Sequence, residues 1–103
     1  MKFVVRVTEA VKLDAMEAAG WYESRQPGLG HAFRVEANAA IKSLGEDALL
    51  HAIRFSDVRR AGLRRFSTYG VFYIVHDSEV TVFAIMHGAR SPNWIRHRRS
   101  HLD

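Results

Sequence analysis

The sequence contains no cysteine. Disulfide frameworks, thiolate zinc sites, iron–sulfur clusters and cysteine nucleophiles are thereby excluded. A reducing, cytoplasmic setting fits that absence. Long hydrophobic runs are lacking too. None approaches the roughly 18 residues that span a bilayer, so no membrane partner is expected. The opening MKFVVRVTEA carries an apolar patch too short for a secretion signal, and Arg6 interrupts it. Proline occurs only twice, at Pro27 and Pro92, so each marks the edge of an element. No lysine follows Lys42 and no tyrosine follows Tyr73.

What remains is ordinary globular material: 103 residues, 48% hydrophobic and 25% charged, which is the size of one domain over 1–103. The net charge of +4 is unevenly spread. Residues 1–7 carry +2, residues 8–47 carry −3, and residues 48–103 carry +5, from nine arginines against four acids. Arginine makes planar two-point contacts with phosphate or carboxylate. The second half is therefore either a surface for an acidic partner or a solvated basic face.

Periodicity gives the elements. Residues 2–7 alternate as a strand, with Phe3, Val5 and Val7 on one side. Thr8 is placed to cap a helix that runs to about Arg25, with an apolar stripe of Leu13, Met16, Gly20 and Trp21. Pro27-Gly28-Leu29-Gly30 breaks the pattern. A second helix follows to Leu44, with Phe33, Ala37, Ala40, Ile41 and Leu44 on one face and Gly45 as its cap. Residues 58–66, 71–76 and 80–87 read as strands, the last alternating Val80, Val82, Ala84 and Met86 against Thr81, Phe83, Ile85 and His87. Pro92 opens a short basic C-terminal helix. The expectation is an α+β fold: an N-terminal strand, an antiparallel helical hairpin, a three-stranded antiparallel meander (β-α-α-β-β-β) and a short basic C-terminal segment.

The residues that carry chemistry are mostly cationic. One cluster is Arg59, Arg60, Arg64 and Arg65; another is Arg90, Arg96, Arg98 and Arg99, with Phe66, Tyr69 and Trp94 among them. Arginines interleaved with aromatics suit phosphate pairing and base stacking, and equally suit an acidic protein segment. His87, at the end of the last strand, is the candidate for proton transfer, with an arginine to hold a phosphate. His97 and His101 stand at i, i+4 with no third ligand. No metal site and no cofactor are expected.

Several stretches together resemble the RelE/ParE family of type II toxin–antitoxin toxins. Asp14, Trp21-Tyr22-Glu23, Pro27-Gly28-Leu29-Gly30 and Phe33 look like the family's helical hairpin, with Ala15 where leucine is usual. Val58-Arg59, Leu63-Arg64-Arg65-Phe66 and Tyr69 look like its second strand and turn, with Thr68 for a frequent proline and Gly70 for a frequent basic residue. Phe72-Tyr73, then His87 through Arg90, Pro92, Trp94 and Arg96, look like its closing segment. The resemblance implies a RelE/ParE-like fold. It implies a cytoplasmic growth-arresting toxin held in a hetero-complex by a cognate antitoxin. RelE-like members cut mRNA in the ribosome with lysines, arginines and a C-terminal tyrosine; ParE-like members poison DNA gyrase. The lysines and the terminal tyrosine have no counterpart here, and the hairpin signatures lean to the ParE-like branch. On that branch Arg59, Arg60, Arg64, Arg65, Arg90, Trp94 and Arg96 are the candidate effector or partner surface. On the ribonuclease branch Arg64, Arg65, His87 and Arg90 would be catalytic; a third reading is a non-toxic, degenerate family member that acts only as a binding module.

Overall fold

The computed structural model describes residues 2–102. The chain runs β1 (Val4–Val7), α1 (Glu9–Arg25), α2 (Leu29–Asp47), β2 (Ile53–Phe55), β3 (Val58–Gly62), β4 (Tyr69–His76), β5 (Glu79–His87) and α3 (Pro92–Ser100). The strands form one mixed sheet in the order β1-β5-β4-β3-β2. β2 to β5 meander antiparallel, and β1 joins β5 in parallel. The helical hairpin covers one face of the sheet, burying Val11, Ala18, Phe33, Ala37 and Leu44 against Val71, Tyr73, Val80 and Val82. α3 lies on the other face, where Ile95 packs with Val58, Phe83, Ala84 and Met86.

The α+β order expected from periodicity is present with one addition. The sequence reading has no strand between Gly45 and Val58, but Ile53–Phe55 pairs with the start of β3, so the meander has four strands. Three residues with Arg54 at their centre give too short an alternation to register as a strand. The connecting turn puts Ser56 at φ 50°, in the left-handed region.

Four further expectations are corrected. The apolar stripe assigned to α1 faces outward: Leu13 is 62% exposed, Met16 56% and Trp21 51%. The face turned to the core is built from Val11, Ala15, Ala18, Ala19 and Tyr22. α1 has apolar residues on both sides, and small alanines let it lie close to the sheet while the larger side chains stay outside. Gly45 does not cap α2. It is a buried helical position, and its carbonyl accepts from the backbone N–H groups of Lys2 and Phe3, each at 3.0 Å. Thr8 is the residue before α1 as expected, but its side chain makes no capping bond, and Oγ1 is buried without a partner.

The fourth correction lies in β5. Phe72 pairs with Ala84 but Tyr73 pairs with Val82, so Phe83 is an extra residue, a β-bulge. The strict alternation read from the sequence therefore holds only to Val82. Beyond it Phe83, Ala84 and Met86 face α3, while Ile85 returns to the hairpin side.

Candidate functional site

The bulge sits where β5 outruns its neighbour. β1 pairs with Glu79 to Val82 and ends there, with the Thr8 N–H donating to the Val82 carbonyl at 3.0 Å. The backbone beyond has no strand on that side. Side chains from two helices take its place. The Ile85 N–H donates to Asp14 Oδ2 at 2.9 Å, and Arg98 Nη1 donates to the Phe83 carbonyl at 3.1 Å. Arg98 Nη1 and Nη2 also donate to Asp14 Oδ2 and Oδ1, at 2.8 and 3.3 Å. One ion pair thus joins α1, the bulge and α3. Asp14 stands in the hairpin motif; in the sequence Arg98 is one of a basic cluster. Its spacing of i+3 and i+4 from Ile95 and Trp94, which puts it on the inner side of α3, is the signal that could have singled it out.

The remaining arginines separate into distinct groups. Arg59 faces the hairpin side and donates to the backbone carbonyls of His51, at 2.6 Å, and Leu49, at 3.4 Å. Arg64 lines a hollow with Glu36, Asp47 and His51. Arg65 lies in the turn after β3, where its backbone N–H donates to Glu36 and its guanidinium sits 5.6 Å from the Phe66 ring centre. Phe66 itself is core. Arg60, on the opposite face from Arg59, lines a hollow with Arg54 and Arg90. Arg96 lies over Phe55 at 4.8 Å and Arg99 pairs with Asp57 at 2.8 Å. That contact with Arg99 is the main reason the Asp57 carboxyl is held below its ordinary range. Trp94 lies between Arg90 and Arg98, 4.6 and 5.0 Å from its ring centre.

The structure therefore brings Arg60 and Arg90 together but does not gather Arg64, Arg65, His87 and Arg90. The two hollows lined by both His87 and Arg90 contain neither Arg64 nor Arg65. Arg54 joins the group unannounced, a lone base in a strand too short to be read.

His87 stands edge-on to Tyr69, with ring centres 5.3 Å apart, above a hollow of about 220 Å³ that also touches Asp14, Glu17, Arg90 and Trp94. Its Nδ1 accepts from the Ala89 N–H at 3.0 Å. In the neutral ring that contact leaves the proton on Nε2, so the nitrogen facing outward is a donor. Burial raises the Tyr69 hydroxyl above its ordinary value, with Tyr22 and Glu17 adding to the effect. No group of three His, Asp or Glu side chains placed to hold a metal ion occurs among the described residues. His97 and His101 do share one face of α3, with ring centres 4.5 Å apart.

The hairpin motif has a local physical role. Glu23, near the end of α1, accepts from the backbone N–H groups of Gly28 and Gly30, each at 3.0 Å, and so closes the open start of α2. These two bonds hold its carboxyl below the usual carboxylate range. Gly28 has φ 89°, which only glycine adopts readily. A Cβ on Gly30 would lie 2.5 Å from the Ala19 carbonyl oxygen, so the helices touch backbone to backbone there.

No family model and no curated protein matches this chain. Among the described residues no helix is long and apolar enough to cross a membrane. Among solved structures, a chain of the chromosomal ParDE TA (toxin–antitoxin) system from P. aeruginosa superposes with a TM-score of 0.73. The match covers 84% of this chain and 96% of that one, at 17% identity. The likeness is one of architecture, and the chain has a ParE-like fold.

Proposed function

We propose that this chain is a cytoplasmic ParE-like toxin of a type II toxin–antitoxin system. It arrests growth by inhibiting DNA gyrase and is neutralised by a cognate antitoxin. The observation that carries the reading is the near-complete overlap with a chain of the ParDE system, over 84% of this chain and 96% of that one. The arginine-rich second half is the effector surface in this reading. The antitoxin contributes an acidic and apolar segment. Leu13, Met16 and Trp21, turned outward along α1, give its apolar side chains a seat.

Two features favour gyrase inhibition over RNA cleavage. The arginines that a nuclease would use are divided between separate hollows. The Nδ1 of His87 is occupied by the Ala89 N–H, which leaves no free basic nitrogen in the neutral ring. A general base has to present such a nitrogen to the proton it takes.

A supercoiling assay with purified gyrase and antitoxin-free protein tests this. Relaxed plasmid should stay relaxed at excess toxin, and in cells DNA synthesis should fall before protein synthesis. Full gyrase activity at excess toxin, with protein synthesis falling first, would overturn the reading and point to ribosome-bound mRNA as the target.

A further inference from the structure

The end of α3 carries a pair of side chains that the toxin reading leaves unused. His97 and His101 stand one helical turn apart, at i and i+4, and both are exposed. Their ring centres are 4.5 Å apart and their planes are tilted by 54°. Zinc holds an imidazole nitrogen at about 2.0–2.1 Å, so two rings sharing one ion have centres roughly 4.5–5 Å apart. The pair already has that spacing.

The second ring is also oriented. His101 Nδ1 lies 2.9 Å from the His97 carbonyl oxygen, which can only accept, so the proton sits on Nδ1. In the neutral ring Nε2 then carries the free lone pair. Metal-bound histidines are commonly fixed in this way, the other ring nitrogen donating to a backbone carbonyl or a carboxylate. The ring nitrogens of His97 have no hydrogen-bond partner among the described residues. Either of them is free to meet an ion.

The surrounding charge permits a cation. Three arginines flank the pair in sequence, but their charges are directed elsewhere. Arg98 is tied to Asp14 and Arg99 to Asp57, each at 2.8 Å, and Arg96 lies over Phe55 at 4.8 Å. The carbonyl end of a helix is its negative end, and the pair sits there.

We propose that His97 and His101 bind one divalent ion of the zinc class through two imidazole nitrogens, with water completing its coordination. Imidazole suits zinc, copper and nickel, whereas magnesium and calcium take oxygen ligands. No third His, Asp or Glu joins the pair among the described residues, so the remaining positions stay open to water. An ion held there clamps the turn that contains Arg98, and so keeps that guanidinium against Asp14. The site does not rest on the gyrase reading.

Calorimetric titration of zinc chloride into untagged protein, treated with EDTA and dialysed, tests the proposal. One saturable site per chain should appear, and magnesium chloride should give none. His97→Gln and His101→Gln should each weaken zinc binding about tenfold or more, since even the loss of an outer partner of a ligand costs that much. His31→Gln, at an exposed histidine of α2, should leave binding unchanged. Both residues of the pair are exposed, so their replacement leaves the packing intact, which circular dichroism checks. Zinc should raise the melting temperature of the parent and not that of His101→Gln. The proposal is overturned if zinc shows no saturable binding, or if magnesium binds equally. It is also overturned if His97→Gln and His101→Gln bind zinc as well as His31→Gln does, which would put the ion elsewhere. Gyrase inhibition is read in a separate assay, so either idea can fail alone.

Discussion

Asp14 and Arg98, 84 residues apart in sequence, meet at 2.8 Å across the bulged end of β5, and each also bonds its backbone. Their side chains are 16% and 17% exposed. Removing one member of such a pair strands the other and unpairs a strand amide. Asp14→Ala should therefore destabilise the fold by about 2–4 kcal/mol, the upper part belonging to full burial. Asp14→Asn should cost less, because its carbonyl oxygen can still accept from Ile85. Urea denaturation of both variants checks the order. Equal stability of Asp14→Ala and the parent would show that the pair contributes nothing net.

Glu23 ties the two hairpin helices together from an exposed position. Its carboxyl is held below the ordinary 4.5 by the Gly28 and Gly30 amides. A lowered folded value means a contribution that is present above the unfolded value and lost as pH falls through the folded one. Glu23→Gln should melt lower than the parent at neutral pH. The two should converge in acid, once the parent carboxyl is protonated. A gap that persists unchanged in acid would point to shape and not charge.

Tyr73 behaves oppositely. Its hydroxyl is fully buried, donates to the Ala48 carbonyl at 2.6 Å, and is pushed up to about 12 by burial. Its stabilising effect is complete below the unfolded value near 10 and is lost as pH rises through the folded value. Two units correspond to about 2–3 kcal/mol lost by pH 12. Tyr73→Phe should cost about 1 kcal/mol at neutral pH by leaving the carbonyl unpaired, and should flatten the alkaline slope. Alkaline stability curves that stay parallel for the two proteins would refute this.

Trp21 and Leu13 separate stability from recognition. Both lie mostly in solvent, so Trp21→Ala and Leu13→Ser should change stability by about 0.5 kcal/mol or less. If α1 seats the antitoxin, the same changes should weaken the complex at least tenfold, as for central apolar anchors. Calorimetric titration with the co-purified partner decides. Unchanged affinity would move the antitoxin off this helix.

The sequence made some elements plain and hid others for physical reasons. α2 was legible because Phe33, Ala37, Ile41 and Leu44 fall on one face with little apolar matter elsewhere. Pro92 announced α3; the Ser91 cap, whose hydroxyl accepts from the Asn93 N–H at 3.2 Å, is visible only in the structure. α1 is hard to read because its large apolar side chains stand in solvent while alanine lines its inner face. The phase of β5 was unreadable beyond Val82, since a bulge leaves no mark when both neighbours of the extra residue are apolar. Adjacent Arg59 and Arg60 were one cluster in sequence and stand on two faces in the sheet.

The parallel pairing of β1 with β5 has a consequence for biosynthesis. β1 precedes the other elements, yet among the described residues its only strand neighbour begins at Glu79, and Asp14 waits for Arg98. Contacts of such long sequence separation form late. A nascent chain can fold its helical hairpin early, but the sheet stays open until β5 has been made. A chain stalled before β5 therefore lacks a seat for β1, and one stalled before α3 leaves Asp14 without its cation.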